Sequence, residues 1–465
     1  MKMETFKKRY IGNWAFYKHA LVIVIPMILQ NLITNFVSML DNIMVGRVGT
    51  EQMSGVSIVN QFIFVFNITV FGGVSGASIF GTQFFGKGDH EGQRYTFRFR
   101  ILLVLGLIGV AMIVFTTCGA GLIRLFLSEK DSPEVLEATL LYGKQYLSIM
   151  LIGLIPFGIG QAYSSVVREC GETKIPMYGS AAAILVNLFL DYGLIFGRFG
   201  MPEMGVRGAA IATVIAKFVE AAVVIVWAHQ KKEKNPYIVD AYKSLKIPMP
   251  LTKEIIKKGA PLLFNEFLWS FGMSVVAQSY SILGIDVVAA RNISGTMTNL
   301  FGVVFVQMGG AIGIIVGAQL GAGELEGAKD TARKLMVFAV ALTAIIAAIM
   351  APFAYLFPSI YKTDEAVRNL ATFFILVSAL AMPIWSYTNA TYFILRSGGK
   401  TGITFLFDFL YSWVVMIPLA FFLTRYTTIG IHAIFCIVTF SELIKVLVGF
   451  LMVRSGIWVN NIVGE

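Results

Sequence analysis

Ionisable side chains are what this sequence has least of. Only 14% of its 465 residues are charged, whereas 57% are hydrophobic and the mean hydropathy is +0.75. Soluble chains carry about 25% charged residues, and a soluble fold of this length could not cover its surface with so few ions. The shortage excludes a soluble globular domain and makes lipid the surroundings of most of the exterior. Thiols and imidazoles are also sparse. Cys118, Cys170 and Cys436 are scattered without metal-ligand spacing, and His19, His90, His229 and His432 form no HxxxH or HExxH pattern. A membrane enzyme would need His, Asp or Cys clustered at helix ends, and the sequence shows no such cluster. A nucleotide loop is missing too. Gly399-Lys400-Thr401 imitates the tail of G-x-x-x-x-G-K-[ST], but Ile394 stands where the upstream glycine belongs. Any active transport must therefore draw on an ion gradient.

Apolar runs are abundant. Twelve segments are predicted, at about 20–45, 52–84, 98–123, 135–167, 175–197, 206–228, 256–282, 287–320, 332–358, 367–395, 402–424 and 430–453. A bilayer-spanning helix needs about 20 apolar residues. The first segment follows a basic start but is longer than a signal-peptide core and lacks an A-x-A site, so it reads as a span. With the N-terminus inside, 25 of the 37 Lys and Arg fall on inside segments and 9 outside; Lys144, Lys217 and Lys445 lie within spans. This asymmetry predicts that both termini face the cytoplasm in a multi-pass protein of the inner (plasma) membrane. The net charge of +10 then sets topology, and no nucleic-acid partner is expected. The one long polar stretch, 229–254, reads as a cytoplasmic linker with room for a short surface helix. It divides an N-terminal lobe, 1–228, from a C-terminal lobe, 255–465, of six spans each.

The lobes repeat. Pro26 and Gly49 are matched by Pro261 and Gly284, both 235 residues on. Gly86-Lys-Gly-Asp-His-Glu91-Gly92 is matched by Gly321-Ala-Gly-Glu-Leu-Glu326-Gly327, again at 235. Arg168, Gly171 and Thr173 are matched by Arg396, Gly399 and Thr401 at 228, and Gly205 by Gly430 at 225. Four matches in order argue for duplication. A repeat of six spans keeps its orientation, which implies an axis along the membrane normal and the usual plan of a secondary transporter.

Polar residues inside spans are costly, roughly 2.5–3.5 kcal/mol for an acid at a helix centre, and each is a functional candidate. Gln30, Thr34, Ser38 and Asp41 follow spacings of 4, 4 and 3, one stripe of the first helix. It is a candidate cavity lining or a polar packing seam. Asn187 and Asp191 stand one turn apart on the fifth span, a pairing able to coordinate a stripped cation or hold a proton. On the seventh span Glu266, with Trp269 a turn later, is a further cation candidate or helix-packing glue. Glu220, Asp408 and Glu442 have no evident partner and read as structural or interfacial.

The pattern P-x3-Q-N…D-N-x-x-V-G-R-V-G from Pro26 to Gly49 is one of three that point to a family. The others are the repeated G-x-Q…G-x-G-[DE]-x-E-G and R-x-x-G-x-T elements. This ordered, duplicated set resembles the multidrug and toxic compound extrusion family over essentially the whole chain. The resemblance implies an all-α membrane protein of two six-helix bundles related by a pseudo-twofold axis, exporting small amphiphilic cations in exchange for H⁺ or Na⁺. By similarity to the DinF-like branch, Asp41, Asn187, Asp191 and Thr213, with the carbonyl of Ala209, would hold the cation, Na⁺ included. Glu266 matches a glutamate of the NorM-like branch and would mark a secondary site with Trp269. That branch also has an acid on the tenth helix, whereas Ala371 to Leu395 contains none, which favours the N-terminal lobe. The stripe of Gln30, Thr34 and Ser38 would line the substrate cavity. No cofactor beyond the coupling ion is expected, and a monomer is the expected assembly. A flippase of lipid-linked saccharides is the alternative, but it would want a cleft rich in Arg and Lys.

Overall fold

The computed structural model describes residues 10–127, 132–361 and 363–464. Lys2, Lys7, Lys8, Arg9, Lys130 and Lys362, six of the charges used for orientation, lie outside the described residues. Among the described residues, twelve helices are long and apolar enough to cross a bilayer. They are α1 (Trp14–Gly46), α2 (Thr50–Lys87), α3 (His90–Arg124), α4 (Pro133–Glu169), α5 (Lys174–Phe196) and α6 (Val206–Gln230). After the linker come α7 (Met249–Ser281), α8 (Ile285–Gly321), α9 (Leu325–Ile360), α10 (Glu365–Ser397), α11 (Thr401–Tyr426) and α12 (Ile431–Ser455). All twelve expected segments are helices, several of them longer than expected. Where a span outruns the hydrocarbon, its extra turns carry charge, as at Glu51 and Lys87 of α2.

The duplication is also written in the backbone. Gly88 and Gly323, 235 apart, end α2 and α8 with φ of +75° and +81°. Gly171 and Gly399, 228 apart, turn the chain after α4 and α10 with φ of +82° and +71°. A side chain is disfavoured at such angles, so the glycines recur because the turns do.

The chain forms two compact units. Unit 1 holds the first helix as far as Ile28, Thr82–Asp89 and everything from Ile256 onward; unit 2 holds Leu29–Gly81 and His90–Ile255. Within unit 1, Ala20, Ile23, Val24 and Met27 of α1 share a buried cluster with Met308, Ile312 and Val316 of α8. The amide of the fully buried Gln83 donates to the carbonyls of Ser397 and Asn460 and its oxygen accepts from the Ile462 amide, all within 3.1 Å. Gly86 rests on the carbonyl of Ala318 and Gly321 on that of Gln83, so closely that a Cβ at either would collide. Gln83 and Ala318 are themselves 235 apart, so the two contacts are the same contact made twice, as a twofold requires.

Within unit 2, Nη2 of the buried Arg100 donates to both carboxylate oxygens of Glu169 at 2.8 Å. The linker is fastened to α3. Arg98 donates to the carbonyls of Asp240, Ala241 and Lys246 at 2.8–3.2 Å, and Tyr237 packs beside Phe97. In place of the expected surface helix stand a 3₁₀ turn, Pro236–Ile238, and a run of turns. The three carbonyls held by Arg98 are not available for a helical ladder. Exposed Asp240, hydrogen-bonded to Lys243, has its carboxyl held below the ordinary range by that ammonium.

Candidate functional site

Asp191 and Asn187 are turned inward from α5 and are 1% and 2% exposed. Asp41, late in α1, faces Asp191. Both oxygens of Asp191, Oδ1 of Asp41 and both amide atoms of Asn187 are buried without a hydrogen-bond partner in the protein. Two facing carboxylates have no hydrogen to offer one another, so they are satisfied only by a proton or a cation between them. Leaving such groups buried and unpaired costs several kcal/mol. The donors are hard oxygens, which suit Na⁺ as well as H⁺. On α6, Thr213 donates to the carbonyl of Ala209 at 2.9 Å, and Ala209 is buried.

Tyr146 of α4 completes the cluster. Its ring is buried, its hydroxyl donates to Asn60 Oδ1 of α2 at 3.2 Å, and it interacts with Thr213, Asp41 and Asp191. Sequence reasoning missed Tyr146 and Asn60. Tyrosine and asparagine are common in spans, and nothing in their spacing links them to α5.

The polar stripe of α1 divides. Gln30 is buried; its amide donates to Ser180 Oγ at 3.0 Å and its oxygen accepts from Arg168 at 3.0 Å. Ser180 in turn donates to Glu220 at 2.6 Å, and Glu220 pairs with Lys217 at 3.0 Å. Thr34 and Ser38 are exposed, and their hydroxyls donate to α1 carbonyls one turn back. Glu220 therefore has partners that the sequence did not reveal.

In unit 1, Asn265 of α7 donates to Asp408 Oδ2 of α11 at 3.0 Å, and the Lys445 ammonium of α12 lies 2.5 Å from Asp408 Oδ1 and 3.9 Å from Glu442. Glu442 accepts from Thr388 at 2.8 Å. Glu266 feels Arg396 and Asp408. Trp269 is half exposed and edges a crevice with Asn265, Asp408, Phe409 and Trp413. Asp408 and Glu442, like Glu220, are paired.

The repeat offsets carry the unit 2 cluster onto hydrocarbon. Asp41 maps to Val276, Tyr146 to Phe374, Ala209 to Ile434 and Thr213 to Val438, and these four share one buried apolar core. Within α11 a π-helical segment, Tyr411–Met416, adds a residue, so Asn187 maps to Val415 or Met416 and Asp191 to Leu419 or Ala420. The same place in the two halves is ionic in one and dry in the other.

Twelve spans among the described residues, repeated six by six and with unpartnered carboxyl oxygens buried among them, are the build of a membrane transporter. The MatE family model matches residues 26–193 and 261–422, once in each half. The chain belongs to that family, whose members are transporters and not enzymes. It is 26% identical over 419 residues to the probable multidrug resistance protein NorM of Thermotoga maritima, covering 89% of this chain and 87% of that one. With the probable multidrug resistance protein YoeA of Bacillus subtilis it shares 24% over 442 residues, 92% and 91% of the two chains. Its fold superposes on an outward-facing multidrug resistance MATE transporter of the MOP superfamily with TM-score 0.84 at 19% identity, over 94% of this chain and 95% of that one. A mutant of the Vibrio cholerae MATE transporter VcmN gives 0.84 at 18%, over 96% and 98%.

Proposed function

We propose that this protein is a secondary multidrug efflux antiporter of the inner membrane, both termini cytoplasmic, exporting small organic cations in exchange for H⁺ or Na⁺. The observation that carries the reading is the cluster of unpartnered buried oxygens on Asp41, Asn187 and Asp191. A transporter driven by a cation needs a place where that cation, once stripped of water, meets compensating charge. Tyr146 and Thr213 border that place. Asp41 and Asp191 hold the inward-bound cation or proton, Asn187 orients beside Asp191, and the Ala209 carbonyl adds a lone pair. The names of the multidrug resistance relatives support drug export. Release of the cation charges the cluster, and the helices around it change their preferred packing, which is the coupling alternating access requires. Glu266, Trp269 and the α1 stripe offer substrate contacts, and the protein works as a monomer.

The test is ethidium efflux in everted vesicles, with Na⁺ and pH gradients imposed separately. Efflux driven by one of the two gradients supports antiport and names the ion. Efflux that neither gradient drives overturns it. A saccharide flippase is disfavoured because, of the three lysines lying within spans, Lys217 and Lys445 are paired to Glu220 and Asp408 and Lys144 is on the outer surface of its helix.

A further inference from the structure

The polar network of unit 2 recurs in unit 1, position for position. Gln30 maps to Asn265 at 235, Ser180 to Asp408 at 228, and Lys217 and Glu220 to Glu442 and Lys445 at 225. The contacts recur as well. Gln30 donates to Ser180, and Asn265 donates to Asp408. Ser180 meets Glu220, and Asp408 meets Lys445. Lys217 pairs with Glu220, and Glu442 lies beside Lys445, each three residues apart on one helix.

The polarity is reversed. In unit 2 the central side chain is the Glu220 carboxylate, with Lys217 and Ser180 against it. In unit 1 the central side chain is the Lys445 ammonium, flanked by two carboxylates. Adding Arg168 on one side, and Arg396 with Glu266 on the other, leaves the unit 2 network with one positive charge in excess and the unit 1 network with one negative. The rings also differ. Lys445 Nζ lies 4.9 Å from the Phe407 ring centre and 5.7 Å from that of Tyr411, where unit 2 has Gly179 and Ala183.

Two carboxylates and two aromatic faces around one nitrogen are the chemistry that recognises an organic ammonium ion. The nitrogen here is the chain's own. Asp408 also lines the crevice edged by Trp269 and Trp413, and the π-helical segment of α11 begins at Tyr411, a device frequent at functional sites.

We infer that unit 1 contains an organic-ammonium site centred on Asp408, in which Lys445 is a tethered resident cation that an external ammonium ion can replace. The inference rests on the efflux reading only for the class of ligand. Its test reads binding, so the two can fail separately.

Replacing Lys445 by alanine removes three methylenes and the ammonium, which together are n-propylammonium. Purified Lys445→Ala protein is expected to gain thermal stability on titration with n-propylammonium chloride, half-saturating at least tenfold lower than wild type, with NaCl as control. Lys445→Arg keeps a tethered cation and should respond like wild type, and adding Asp408→Asn to Lys445→Ala should abolish the response. Asp191→Asn in the Lys445→Ala background should leave it unchanged, which separates this site from the α5 cluster. If Lys445→Ala survives extraction only in n-propylammonium, that recovery is the predicted rescue. A folded Lys445→Ala protein that responds no better than wild type, or an unfolded one that NaCl recovers equally, overturns the inference.

Discussion

The hydroxyl of Tyr146 donates its hydrogen to Asn60 Oδ1 at 3.2 Å. A hydroxyl has one hydrogen to give, so the phenol donates none to the nearby Asp41 and Asp191 carboxylates, whose charge it feels. Oxygen-bearing side chains from α1, α4 and α5 thus lie within reach of one another's charge. A positive charge among them is attracted to all of them; a neutral molecule gains little.

Asp41→Asn should abolish export while leaving expression and insertion intact, since the amide keeps the shape and removes the charge. Tyr146→Phe should keep export but weaken the apparent affinity for the coupling ion by about tenfold, the worth of one good hydrogen-bonding oxygen. Ion-dependent efflux in vesicles, read over a range of ion concentrations, separates the two effects. Wild-type efflux by Asp41→Asn would end the assignment.

Glu266→Gln should slow transport less than Asp191→Asn does. Glu266 feels the Arg396 guanidinium as a nearby counter-charge, whereas Asp191 has another carboxylate beside it. Initial efflux rates of the two variants at matched expression decide the order, and the reverse order moves the coupling site to unit 1.

Export of a monovalent drug should respond to membrane potential at zero pH gradient. Exchange for one proton moves no net charge, but Asp41 and Asp191 together can bring in two. The second charge adds about 2.3 kcal/mol per 100 mV, near a fiftyfold concentration ratio. Proteoliposomes under a valinomycin-set potential, with pH and Na⁺ equal on both sides, provide the measurement. Unchanged drug movement there means one-for-one coupling.

Glu169→Ala should be strongly destabilising, by about 3–5 kcal/mol, because it strands the fully buried Arg100 guanidinium. The readout is a lowered unfolding temperature in detergent. Gly81→Ala, whose Cβ would press on both partners of that pair, should lower it too.

Much of this was legible in the sequence. The spans follow from apolar run length, and the recurring turn glycines announced the repeat. Asp41, Asn187 and Asp191 stood out because a charge in lipid demands a reason. Ser180 beside Glu220, Thr388 beside Glu442, and Asn265 and Lys445 beside Asp408 did not stand out, since each reaches over from another helix and leaves no trace in local spacing. The Lys217–Glu220 and Glu442–Lys445 pairs, three residues apart on one helix, were open to the sequence. Yet offsets of 235, 228 and 225 already align Gln30 with Asn265, Ser180 with Asp408 and Glu220 with Lys445. The inverted network was within reach of the sequence and became visible only when the contacts recurred. The π-helical segment at Tyr411 has no such signature.

The two units are not consecutive lengths of chain, and that has a mechanical result. The backbone passes between them four times, at Ile28–Leu29, Gly81–Thr82, Asp89–His90 and Ile255–Ile256. Three of those passages run through unbroken helix, in α1, α2 and α7. A rod clamped at both ends cannot let its clamps turn against each other unless the rod itself flexes. Pro26, two residues from the first passage, and Pro261, beyond the last one in α7, bring no amide hydrogen to the ladders of their helices, which makes α1 and α7 softer rods than α2. Stiffening α1 with Pro26→Ala would raise the work of any such turn without touching a single ion ligand.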